Sequence, residues 1–250
     1  MSIALVTGGS RGLGKNMALS LAKKGIDVIL TYHSKADEAQ AVVAEIEQLG
    51  AKAAALPLDT AHVAGFESFV QQFKQVLADT FGQERFNFLI NNAGVGVYTP
   101  IGNTKEEDVD QLVNVHFKGV IFLTQHLLPL LTDGGRIINI SSGLTRFSNP
   151  GYAVYASLKT AIETLSRYMA KELGSRGIAV NVVAPGAIET DFGGGAVRDN
   201  AQINQQIASA TALGRVGLPD DIGGVVAFLC TEEARWINAQ RIEVSGGMNL

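Results

Sequence analysis

Short runs of valine, isoleucine and leucine alternate along the whole chain with amphipathic stretches of helical spacing, and this alternation constrains the fold most. Ile3 to Val6, Val28 to Thr31, Ala53 to Leu58, Phe86 to Ile90, Arg136 to Ile140, Ile178 to Val183 and Arg241 to Val244 read as strands. Strands apolar without a break, rather than at every second residue, are buried on both faces. Between them, Leu13, Met17 and Leu21 share one helical face, as do Ala39, Val42, Val43, Ile46 and Leu49. Further helices are expected near 63–81, 105–131, 152–175 and 219–230, the second opened by a Thr104-x-x-Glu107 capping box. Strands interleaved with helices predict one doubly wound, Rossmann-type α/β domain over 1–250: a parallel sheet with helices on both faces. Ligands of such a sheet lie beyond the carboxyl ends of its strands, so motifs that follow strands matter most.

A chain of 250 residues can bury roughly three quarters of its unfolded surface, so it needs no covalent staple. Its one cysteine, Cys230, ends the apolar run from Val225 and is expected to be a buried core thiol. A single cysteine forms no internal disulfide, which fits a reducing compartment. The net charge of −4, with lysines and arginines scattered, argues against nucleic acid and acidic membrane surfaces as partners. The most apolar region, Val120 to Leu131, is broken by Gln125, His126 and Pro129 and is too short to span a bilayer. No basic stretch followed by an apolar one marks a leader, and a cytoplasmic location is expected. No metal is called for.

After the first strand comes Thr7-Gly8-Gly9-Ser10-Arg11-Gly12-Leu13-Gly14. Gly8-x-Ser10-x-Gly12 formally matches a hydrolase nucleophile elbow, but no earlier strand could supply an oxyanion loop. His116 and His126 lie in an apolar helical stretch, where a core role fits better than a catalytic one. Gly9-x4-Gly14-Lys15 approaches a P-loop, yet Asn16 stands where a magnesium-binding hydroxyl is needed. The remaining reading is a dinucleotide turn with Gly-x3-Gly-x-Gly spacing. Gly8, Gly12 and Gly14 would let the backbone, with Ser10, Arg11 and Leu13, approach a pyrophosphate at a helix N-terminus. The second strand ends in Thr31-Tyr32-His33-Ser34-Lys35, with no acid for a ribose 2′-hydroxyl. Arg11, His33, Ser34 and Lys35 could instead cradle a 2′-phosphate, which favours NADP(H) and leaves NAD(H) possible.

Tyr155 is the only one of five tyrosines with a lysine four residues on, Lys159. Residues four apart share a helix face. An ammonium beside a phenol is expected to lower its pKa from about 10, making a proton donor for a developing alkoxide. Ser142 follows the run Ile137 to Ser141 and would place a hydroxyl at a strand's carboxyl end. The irregular stretch from Pro185 to Asn200, with Gly193 to Gly195, suits a substrate lid spanning about 186–212.

With these motifs in order, the chain resembles the short-chain dehydrogenase/reductase family over essentially its whole length, and most closely its 3-oxoacyl-carrier-protein reductase-like branch. The matching residues are Thr7-Gly8-x3-Gly12-x-Gly14, Asp59, Asn91-Asn92-Ala93-Gly94, Asn114, Ser142, Tyr155-x3-Lys159 and Pro185-Gly186-x3-Thr190. The resemblance implies a seven-stranded sheet, a homotetramer and reduction of a ketone to a secondary alcohol. It implies that Asp59 bonds the adenine amino group and that Asn91, Ala93 and Gly94 support and line the adenosine ribose. Asn114 would hold a water that links Lys159 to solvent. Pro185, Gly186, Ile188 and Thr190 would line the nicotinamide. The chain departs from the family in ending its last strand with Ser245-Gly246-Gly247 instead of Asp-Gly-Gly, which is expected to alter a subunit contact. It also carries Thr132-Asp133 where reductases of carrier-bound substrates show basic residues, although Arg176 remains nearby. An acid there opposes an acyl carrier protein as partner. Leu144 to Phe147 and Phe192 suggest an apolar pocket, so a small-molecule or aryl ketone fits as well as a 3-oxoacyl thioester. The alternative is a catalytically silent NADP-binding regulator on the same fold, against which the intact Asn–Ser–Tyr–Lys set argues.

Overall fold

The structure is a computed structural model and describes residues 2–250. Seven strands form one parallel sheet: β1 (Ile3–Val6), β2 (Asp27–Tyr32), β3 (Ala53–Pro57), β4 (Phe86–Asn91), β5 (Leu131–Ile140), β6 (Ala179–Pro185) and β7 (Arg241–Val244). Their order is β3-β2-β1-β4-β5-β6-β7, and every pairing is parallel. The order reverses between β1 and β4, so a crevice opens beyond the carboxyl ends of those two strands.

Alternate residues of each strand feed two cores. Ala4, Val6, Val28, Leu30, Ile138 and Ile140 face one side, where α1 (Gly12–Ala22), α2 (Ala36–Gln48) and α9 (Asp220–Leu229) cover them. Ile3, Leu5, Ile29, Leu89, Ile137 and Val180 face the other, under α3 (Phe66–Val76), α5 (Gly119–Leu127) and α6 (Ala153–Leu173). Phe73 meets Phe86 edge-on at 5.1 Å in this second layer. Both rings are fully buried, each contributing roughly 1.5–3 kcal/mol. Cys230 is buried as expected, and burial pushes its thiol up to about 12.

Four local readings differ from the structure. The helix expected over 105–131 is split into α4 (Glu106–Val113) and α5 by a π turn at Asn114–Lys118. Gly119 closes that turn against the Thr60 carbonyl, where a Cβ would come within 2.4 Å. The capping box is absent: Lys105 is the N-cap of α4, and Thr104 donates its hydroxyl to the Pro100 carbonyl at 2.8 Å instead. β5 begins at Leu131, not Arg136, with a register shift opposite Phe86 and Phe88. The stretch expected to be irregular, Pro185 to Asn200, holds the short helix α7 (Ala196–Asp199), and α8 (Ala201–Ser209) follows it directly. They follow a turn in which Gly193, Gly194 and Gly195 all have positive φ. Among the described residues no helix is long and apolar enough to cross a membrane.

Candidate active site

The crevice is built from the junction of β1 and β4. Thr7 ends β1; its Oγ1 accepts the backbone N–H groups of Asn92 and Ala93, both at 2.9 Å. Asn92 answers by donating Nδ2 to the carbonyls of Thr7 (2.8 Å) and Gly8 (3.2 Å). The glycine turn is thus pinned to β4 by a residue that sequence reasoning left out of the site, although it stands inside the Asn91–Gly94 motif. Asn91 itself is turned away from the crevice. Its carboxamide donates to Asn139 (2.8 Å) and Thr124 (3.2 Å), so it supports β4 and α5 from inside the core.

Gly14 is packed so closely that a Cβ would lie 2.1 Å from the Gly8 carbonyl oxygen. Gly8 and Gly12 have φ near +65° and +55°, a region that favours glycine. No side chain caps α1, and no acid lies in its first turn. Among the described residues the first N–H groups of α1 thus have no side-chain cap, and with the positive end of the dipole they could hold an anion. Ser10 and Leu13 are half-buried in the same turn. His33, Ser34, Lys35 and Asp59 are exposed at the adjoining ends of β2 and β3, with His33 Nε2 3.8 Å from Asp59. Arg11 points the other way, across the mouth, to within 3.9 Å of Asp191. On the far rim, Pro185 ends β6, Gly186 donates its N–H to the Val244 carbonyl, and Ile188 bridges to Gly217. Thr190 is buried opposite Gly12 and accepts the Phe192 N–H on its hydroxyl.

The residues expected to transfer the proton meet at the carboxyl end of β5. Ser142 is extended and caps a single 3₁₀ turn over Gly143–Thr145, its Oγ accepting the Leu144 N–H at 3.2 Å. Tyr155 and Lys159 lie on successive turns of α6 and are 7% and 5% exposed. The expected lowering of the phenol pKa is not found. Burial pushes Tyr155 up, with only partial relief from its hydrogen bond to Ser142. Lys159 directs Nζ to the Ile140 carbonyl at 2.7 Å and lies 5.6 Å from the tyrosine ring centre. Burial brings Lys159 down to about 8. The phenol is therefore held protonated at neutral pH, the state that a proton donor needs. Asn114 is half-buried and opens the π turn, its carbonyl accepting the Gly119 N–H. Such turns recur at functional sites.

His116, on that π turn, was read from sequence only as a core residue. Its ring meets Tyr155 edge-on at 5.2 Å, and Nε2 bonds the backbone of Val95. Burial first, and then Lys159, lower its pKa to about 3. An unfolded chain protonates the same ring near 6.5. His116 thus adds stability that is complete above pH 6.5 and lost as pH falls toward 3. His116→Gln is expected to flatten the decline in unfolding free energy below pH 6 by up to ~1.4 kcal/mol per pH unit. Urea denaturation at pH 7, 6 and 5 checks this; parallel curves for parent and variant would refute it.

Chains of known kind fit the same picture. The family model for enoyl-(acyl carrier protein) reductase matches residues 8–249. A hydroxynaphthalene reductase-like protein of Metarhizium brunneum is 36% identical, the alignment covering 98% of this chain and 94% of the relative. The solved structure of LugOII, a promiscuous reductase that catalyzes keto-reduction at C1 during lugdunomycin biosynthesis, is 38% identical. It superposes with a TM-score of 0.93 over 98% of this chain and 96% of its own. The angucycline C-6 ketoreductase LanV with bound NADP is 35% identical, with a TM-score of 0.94 over 99% and 95% of the two chains. Matched from the glycine turn to the last strand, the chain belongs to the short-chain dehydrogenase/reductase family of oxidoreductases.

Proposed function

We propose that the chain is an NADP(H)-dependent ketoreductase that reduces a ketone carried on a flat aromatic framework to a secondary alcohol. The convergence of Ser142, Tyr155 and Lys159 beside the glycine turn carries this reading. The uncapped start of α1 and the tight Gly8–Gly14 approach fit a pyrophosphate. Arg11, His33, Ser34 and Lys35 would hold the 2′-phosphate, Arg11 leaving Asp191 to do so. Asp59 would bond the adenine, and Ala93, Gly94, Pro185, Gly186, Ile188 and Thr190 would line the rest. The bound cofactor would supply the hydride. Ser142 donates its hydroxyl to the ketone oxygen, and Tyr155 delivers its proton there as the alcohol forms. Lys159, held to about 8, exchanges a proton near neutral pH and resupplies the phenol, with Asn114 beside the route to solvent.

Aromatic rings frame the mouth. Phe192 lies 5.8 Å from Tyr155, and Tyr98 meets Tyr152 edge-on at 6.0 Å. Tyr98 and Phe192 are exposed, offering apolar faces to a planar guest. A hydroxynaphthalene, the compound in the name of the Metarhizium relative, is a flat fused aromatic. A carrier-protein partner is disfavoured, because Arg176 is taken up by Asp133 at 2.8 Å and by the Leu128 carbonyl.

The test is oxidation of NADPH and NADH with a fused-ring aryl ketone and an acetoacetyl thioester in parallel. NADPH turnover with the higher kcat/KM on the aryl ketone is expected. A preference for the thioester would overturn the aromatic assignment, and faster turnover with NADH would overturn the phosphate cradle. NADPH binding without reduction of any ketone would make the chain a silent regulator.

A further inference from the structure

Three successive turns of α6 grip three successive residues at the end of β5. The Ser142 hydroxyl lies close enough to Tyr155 to lower its pKa against burial, Lys159 donates to the Ile140 carbonyl, and Glu163 accepts the Ser141 hydroxyl at 2.7 Å. Only the first two belong to the family motif quoted above. Glu163 is 9% exposed, and a carboxylate so buried needs partners. Its Oε1 lies 2.7 Å from Ser141 Oγ, 2.8 Å from Thr145 Oγ1 and 2.8 Å from Arg241 Nε.

Arg241 reaches from β7, 78 residues further along the chain. Besides Glu163, its Nη2 donates to Thr145 Oγ1 at 3.0 Å and to the Ser142 carbonyl at 3.3 Å. Thr145 Oγ1 is itself 3.0 Å from that carbonyl. The peptide that carries the reactive hydroxyl is therefore held by a guanidinium anchored on Glu163, while the single Thr145 O–H donates either to that carbonyl or to Glu163. The turn needs such help: a three-residue 3₁₀ turn has little stability of its own.

The chain of charge continues outward. Arg241 Nη1 bonds Glu243 at 2.9 Å, and Glu243 accepts from Arg146 Nη2 (2.7 Å) and Ser245 Oγ (2.7 Å). Arg146 Nη1 then holds the Asn249 carbonyl at 2.8 Å. That C-terminal segment is zipped to the segment read as a lid: Asn249 N–H bonds the Ala210 carbonyl, and Ala212 N–H the Gly247 carbonyl.

We propose that Glu163 and Arg241 are a positioning pair that sets the Ser142 hydroxyl for reaction, and that Glu243 and Arg146 tie the same peptide to the C-terminal segment and lid. The inference rests on the ketoreductase reading. A largely buried ion pair is poor value as a stabiliser, because desolvation offsets most of the attraction. Its worth is geometric, since a reactive group must be held to within about 0.5 Å.

Two measurements test the pair. In the first, Arg241→Gln and Glu163→Gln are compared with the parent by hydrogen exchange. Faster exchange over 141–147 is expected, with β1 and β4 unchanged; unchanged exchange over 141–147 would overturn the proposal. In the second, kcat with NADPH should fall by up to about 100-fold, the effect of an ångström-scale misplacement. KM for NADPH should stay within about twofold, as for an interaction used only in the transition state. Arg241→Lys should recover part of kcat. In a Ser142→Ala background, Arg241→Gln should cost nothing more, because the pair acts through that hydroxyl; a fully multiplicative loss would show a merely structural role. A parent that reduced no ketone would sink the ketoreductase reading, and the exchange measurement would then judge the pair alone.

Discussion

Replacing Tyr155 by phenylalanine is expected to lower kcat for ketone reduction by about 10²–10⁴-fold, the usual worth of a positioned general acid. The ring remains, so its edge contact with His116 at 5.2 Å and its packing on Phe192 at 5.8 Å persist. Ser142 keeps the Leu144 N–H as a partner. The variant should therefore fold, and NADPH affinity, which we assign chiefly to the glycine turn, should change little. Single-turnover absorbance and a fluorescence titration with NADPH separate the two quantities. A Tyr155→Phe enzyme with near-parent kcat would remove the phenol from the chemistry. A variant that lost NADPH binding as well would assign Tyr155 to the cofactor instead of the proton. The phenol starts with a high pKa because burial outweighs its hydroxyl partner. A group that holds its proton this firmly suits reduction better than the reverse direction, where it must act as a base.

The layered fold was legible because strand and helix each leave a period in the sequence. All seven strands were found, and the errors at their ends are a few residues. What escaped was set by contacts far apart in the chain. The π turn at Asn114 depends on the Thr60 carbonyl meeting Gly119. The Thr104 cap lost to a carbonyl four residues earlier, a competition that no pattern of types resolves. Tyr155 and Lys159 could be paired by their spacing, but the balance between burial and charge that fixes the phenol's pKa needs the three-dimensional surroundings. Glu163 and Arg241 leave no local signal at all. Arg11 was legible as a cation near the glycines, yet its partner Asp191 lies 180 residues away, in the segment after β6. The residues proposed to bind and react were thus readable from motifs, whereas those proposed to aim them were not.

Gly14→Ala should weaken cofactor binding more than any surface change around the crevice. Its Cβ would sit 2.1 Å from the Gly8 oxygen, 2.6 Å from Asn92 Nδ2 and 2.9 Å from the Gly8 carbonyl carbon. Two of these atoms are backbone, so no rotamer relieves the clash. α1 must withdraw from the turn, and the contact with Asn92 strains its hold on the Thr7 and Gly8 carbonyls as well. Both changes spread the N–H groups proposed to hold the pyrophosphate. Overpacking of this kind costs roughly 1–3 kcal/mol, occasionally more. The same strain falls on the binding geometry, and each ~1.4 kcal/mol is tenfold in affinity. A loss of about tenfold to more than a hundredfold in NADPH affinity is therefore expected. Gly25→Ala is the matched control. Unlike Gly14 it has positive φ, near +75°, and among the described residues nothing lies within 4 Å of its Cβ; it sits past the far end of α1. That variant should lose stability through backbone strain alone, by about 1–2 kcal/mol, with NADPH affinity intact. Thermal unfolding and NADPH titration of both variants decide the matter. Parent-like affinity in Gly14→Ala would mean that the turn does not hold the pyrophosphate. Equal affinity losses in both variants would mean that cofactor binding follows global stability and not the close approach of α1 to β1.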